Sequence, residues 1–82
     1  MARYYFDLLD GDEIAPDEEG LDLPSIARVQ EEAARSLADF ARDAARRATQ
    51  DGKAHRMGIE VRDDSGAVMQ IRFTFDVRRF RR

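Results

Sequence analysis

The chain has 82 residues, no cysteine, 38% charged side chains and a formal net charge of −3. That length gives one hydrophobic core, which without cysteine is stapled by neither disulfides nor a Cys-based zinc site. No apolar run is long enough to span a bilayer and the amino terminus lacks an apolar leader segment, so a soluble, cytoplasmic chain is expected.

In "ARYYFDLL", Tyr4, Phe6 and Leu8 alternate with Arg3, Tyr5 and Asp7, the period of a strand with one buried and one wet face. Asp10-Gly11 is turn chemistry, and Glu13-Ile14-Ala15 returns as a short second strand before Pro16. The stretch from Asp10 to Pro24 holds seven acids with Ile14, Leu21 and Leu23 among them. Those three apolar residues are expected to pin a surface loop to the core, with Pro16 and Gly20 shaping its turns.

From Ser25 the period becomes helical: Ile26, Val29, Ala33, Leu37, Phe40, Ala41, Ala44 and Ala48 fall on one stripe. Ser25 suits the N-cap, Gly52 the C-terminal stop, and Glu31–Arg35 and Arg35–Asp39 make i,i+4 pairs. The pattern predicts a helix from about Ile26 to Gln50. Alternation returns at Met57, Ile59 and Val61; Asp63-Asp64-Ser65-Gly66 forms a turn; then Ala67, Met69, Ile71, Phe73, Phe75 and Val77 form a second apolar row.

Together these elements predict a single α+β domain over residues 1–82. It is a two-layer sandwich of one long amphipathic helix on a three- or four-stranded, mostly antiparallel sheet (β-(β)-α-β-β), with a basic tail at 78–82. An overlong helix and a long last strand point to a homodimer.

The charges are polarised along the chain. Residues 1–22 carry eight acids against Arg3, and the remainder carries nine acids against thirteen bases. Asp12, Glu13, Asp17, Glu18 and Glu19 are therefore the candidates for docking a protein partner. They are not a calcium loop: counted from Asp10, the sixth and twelfth positions, which need Gly and a bidentate Glu, are Ala15 and Leu21.

"RYYFDLLDG", then "PDEEGLDLPS" and a helix carrying "EEA", resembles a family of short bacterial proteins that begin M-x-R-Y-[FY]-F-x-L-x-D-G. The likeness covers about residues 1–40, and the hairpin "GIEVRDDSGAVMQIRFTF" suits the same layout. It implies a fold and transfers no catalytic residue; Arg28-Val29 departs from the small residues expected there. A looser likeness runs to HicB-type antitoxin domains, whose second long strand and DNA-binding tail are missing here.

No catalytic, cofactor or metal residue is assigned. The only imidazole, His55, falls in a polar loop without a nucleophile to orient, and the glycines make no phosphate-cradling motif. The expectation is a non-enzymatic protein-interaction or regulatory module. Its alternative is a nucleic-acid-associated regulator that uses Arg78, Arg79, Phe80, Arg81 and Arg82 with a sheet face bearing Arg3, Tyr5, Arg62 and Arg72.

Overall fold

A computed structural model describes residues 1–51, 55–76, 78, 80 and 81, with the side chains of 47–51 and 55 outside that description. The elements run β1 (Ala2–Asp10), β2 (Glu13–Ala15), β3 (Leu21–Leu23), α1 (Ile26–Asp51), β4 (His55–Asp63) and β5 (Gly66–Phe75). Every strand pair is antiparallel; the order is β2-β1-β4-β5, with β3 also paired to β1. The helix packs on β4, β5 and β3, giving the expected α+β arrangement.

The sheet has five strands where three or four were expected, because Leu21-Asp22-Leu23 joins it. Leu8 pairs with Ala15, and Tyr4 with Leu21, so β2 and β3 follow one another along a single edge of β1. They behave as one edge strand, interrupted where residues 16–20 pass residues 5–7.

Ser25 caps α1: its Oγ accepts from the Arg28 N–H at 3.2 Å and its carbonyl from Val29 at 3.1 Å. Val29, Ala33, Leu37 and Ala44 are buried on the helix, facing Tyr4, Leu23, Met57, Ile59 and Val61. Ile26 is half exposed at the first turn; the Ala48 side chain and Gly52 lie outside the description. Among the described residues the helix ion pairs are spaced i,i+3, not i,i+4. Arg35 reaches back to Glu32 at 2.9 Å, with Arg28–Glu31 and Arg42–Asp39 longer, because these rotamers lie over the preceding turn.

Two sequence expectations change at the hairpin and the acidic stretch. Val61 pairs with Met69 and Arg62 with Ala67, leaving Val68 as a bulge that resets the alternation. Ala67 is therefore exposed on the outer face, while Val68 packs against the core in its place. Only Leu23 anchors the acidic stretch by burial; Ile14 is 65% and Leu21 42% exposed, as edge-strand side chains that the helix does not reach. Something polar must hold that segment.

Candidate functional site

The sheet face away from α1 carries Arg3, Tyr5, Asp7 and Leu9 from β1, Arg56, Gly58, Glu60 and Arg62 from β4, and Arg72 and Thr74 from β5. Tyr5 lies opposite Arg62, Leu9 opposite Gly58, and Gly58 opposite Arg72. At one end of this face the interrupted edge closes over the sheet. The Asp17 carboxylate accepts the backbone N–H of Phe6 at 3.1 Å, supplying the acceptor that an uninterrupted strand would have offered. It also accepts from Glu19 and Gly20 at 3.1 and 3.2 Å, folding residues 17–20 into an Asx turn.

Asp7, only 9% exposed, ties this turn to β4. Its Oδ1 accepts the Asp17 N–H at 2.9 Å, and its Oδ2 accepts Arg62 Nε at 2.9 Å. Arg62 Nη2 donates to the Asp17 carbonyl at 2.9 Å, and the guanidinium lies 4.5 Å from the Tyr5 ring centroid. Gly20, at φ +73°, sits on the other part of that ring, and Arg3 bridges the Glu19 carbonyl and the Asp22 carboxylate.

Burial of the Asp17 carboxyl disfavours its charge. The N–H groups of Phe6, Gly20 and Glu19, with Arg62 nearby, outweigh that and hold its pKa below the usual carboxylate value. For Arg62 the hydrogen bond to Asp7 raises an already high pKa.

These contacts reassign several sequence candidates. Asp17 is half-buried and occupied, so its carboxylate is a clasp within the chain. Asp12 in the β1–β2 turn, Glu13 opening β2, and Glu18 and Glu19 beside the Asx turn are exposed. Arg3, Tyr5 and Arg62 are engaged with the acidic segment, which leaves Arg72 of the four residues expected on an open face. Arg78, Phe80 and Arg81 are exposed, Phe80 at 90%; Arg79 and Arg82 lie outside the description. His55 opens β4, and its side chain is likewise outside it.

Sequence reasoning missed Asp7 as the organiser, and Arg56 and Thr74 beside Arg72. The spacing Asp17-x-x-Gly20 was the one local signal for the Asx turn. Among the described residues no group of three or more His, Cys, Asp or Glu side chains is placed to hold a metal ion, and no helix is long and apolar enough to cross a membrane.

Fold and clasp together define a class of small α+β protein in which an acidic segment is buttoned onto the open face of a helix-backed sheet. The chain belongs to the family described as "Domain of unknown function (DUF6894)", matched over residues 3–78. No curated protein and no solved structure matches it.

Proposed function

We propose that the chain is a non-enzymatic, cytoplasmic interaction module that pairs with a second copy of itself along β5. The observation that carries this reading is the edge itself: among the described residues β5 pairs with β4 alone, over ten residues without proline. Such an edge presents unpaired N–H and C=O groups to another strand. It is flanked on the helix side by half-buried Met69, Ile71 and Phe75 and by Phe73, 40% exposed.

A two-fold axis beside Ile71 makes the edge self-complementary. Met69 then lies opposite the partner's Phe73, and Gln70 opposite the partner's Arg72, so no like charges face one another. An axis beside Arg72 would instead juxtapose two guanidinium groups. Pairing in this way extends the sheet and leaves its outer face open, with the carboxylates of Asp12, Glu13, Glu18 and Glu19 available to a basic protein segment.

Light scattering across a concentration series tests the dimer. The expected mass is twice the 9.4 kDa of the chain. Gln70→Arg keeps a favourable partner in Glu60 of its own chain, since Gln70 already donates to Glu60 at 3.1 Å. It also places arginine against arginine twice across the axis, so it shifts the equilibrium to monomer. A wild-type monomer at high micromolar concentration, or a dimer indifferent to Gln70→Arg, rejects this interface.

The second reading, a nucleic-acid-associated regulator, draws on Phe80, which stands exposed between Arg78 and Arg81. Salt-sensitive binding of single-stranded RNA that disappears on removal of residues 78–82 supports it; its persistence without them counts against it.

A further inference from the structure

The geometry points to a binding depression for a small phosphomonoester on the outer sheet face, formed by Arg56, Arg72 and Thr74 beside Leu9. A cavity of about 470 Å³ lies there, lined in part by these four residues and Gly11. That volume falls within the usual range of small-molecule sites.

Strand register builds it. Arg56 pairs with Thr74 and Gly58 with Arg72, so the two arginines and the threonine occupy neighbouring positions on one face, around a residue that has no side chain. Gly58 must stay bare, because a Cβ there would stand 2.6 Å from the Ile71 carbonyl oxygen. The rim is held on its other side by the Gly11 N–H, which donates to the Arg56 carbonyl at 2.8 Å and fixes the β1–β2 turn against β4.

The charge pattern supplies an independent reason. Arg3, Arg28, Arg35, Arg42, Arg62 and Arg78 each stand within 4.0 Å of a carboxylate. Arg56 and Arg72, like Arg46 on the helix and Arg81 in the tail, meet none among the described residues, although the chain carries a net charge of −3, and of these four only Arg56 and Arg72 line a cavity together. The described side-chain partner of Arg72 is the neutral Gln70 amide oxygen, at 2.7 Å.

An anion set between Arg56 and Arg72 meets positive charge that no described carboxylate offsets. A phosphate accepts from both forks and from the Thr74 hydroxyl, on separate oxygens, and brings up to two negative charges. A planar carboxylate engages one fork fully and carries a single charge. Leu9 offers apolar wall to the organic part of an ester.

The test is a backbone amide NMR titration with inorganic phosphate and then glycerol phosphate, at ionic strength held constant with sodium chloride, with acetate as the carboxylate arm. Saturable shifts confined to residues 9–11, 56–58 and 72–74 are expected, with binding at least ten-fold weaker in Arg56→Gln/Arg72→Gln and unchanged in Arg35→Gln/Arg42→Gln on the exposed helix face. The dispersion of each variant's free spectrum reports that it is folded. Absence of saturation, equal binding of acetate, or affinity that survives in Arg56→Gln/Arg72→Gln overturns the assignment.

Discussion

Asp17 lends its side-chain oxygen to the Phe6 backbone N–H at 3.1 Å, completing a sheet edge that the chain leaves open between β2 and β3. Five residues, 16–20, pass three residues of β1, and the surplus forms the Asx turn around the same carboxylate. The acidic stretch is thus held by directed hydrogen bonds where apolar burial is scarce.

Asp17→Ala removes three hydrogen bonds at once. The Phe6 N–H loses its partner in a partly buried position, whereas those of Glu19 and Gly20 can turn to water. Hydrogen bonds to a charged group contribute about 1.5–3 kcal/mol, so a loss of about 2–3 kcal/mol is expected, with Asp17→Asn recovering part of it. Urea denaturation measures both. A loss below half a kcal/mol for the alanine variant means the edge is held by something else.

Acid should undo the same contact. The folded Asp17 carboxyl titrates below its ordinary value of 3.8, so its contribution is fully present above that value and is lost as pH falls through the folded pKa. The stability gap between wild type and Asp17→Asn is therefore widest near neutrality and narrows below about pH 4. Urea midpoints of both proteins at pH 7 and pH 3 check this; a gap independent of pH contradicts it.

Arg62 and Asp7 stabilise by reciprocity. The side chain of Asp7 is 12% exposed and that of Arg62 38%, so removing the arginine strands a nearly buried carboxylate, with solvent softening the cost. Arg62→Met is expected to lower stability, and Arg62→Lys almost as much, since an ammonium cannot span the Asp7 carboxylate and the Asp17 carbonyl as the fork does. Asp7→Asn combined with Arg62→Met should cost less than the sum of the two. A double-mutant cycle by chemical denaturation reads the coupling, and strict additivity would mean that the two side chains do not communicate.

The helix, its Ser25 cap and the β4–β5 hairpin were legible because each shows its period over many residues and is bounded by turn chemistry. β3 was not, since three residues, Leu-Asp-Leu, are too few to establish a period among acids. The Val68 bulge was equally hidden: a one-residue register shift leaves the composition unchanged while exchanging Ala67 for Val68 at the core. For the candidate sites the limit was long-range pairing. Only the Asp17-x-x-Gly20 spacing sets Asp17 apart from Glu18, and nothing local separates Arg72 from Arg62; the ladder places one arginine over Asp7 and the other beside Arg56.

Gly20 and Gly11 provide a matched pair for separating backbone strain from contact. Both have positive φ, +73° and +61°, so alanine at either meets the left-handed penalty of about 1–2 kcal/mol. At Gly11 the new Cβ finds nothing within 4 Å, whereas at Gly20 it would stand 2.8 Å from Tyr5 Cε1 and 3.0 Å from Arg3 Cγ. Gly20→Ala must therefore displace the ring that carries Arg62, and it should cost more than Gly11→Ala by an amount that shrinks, down to the Arg3 contact, once Tyr5 is replaced with alanine. Thermal or urea unfolding of the four variants reads that difference. Equal penalties at the two glycines, or an excess at Gly20 undiminished without the Tyr5 ring, would show that the acidic turn does not rest on the aromatic face.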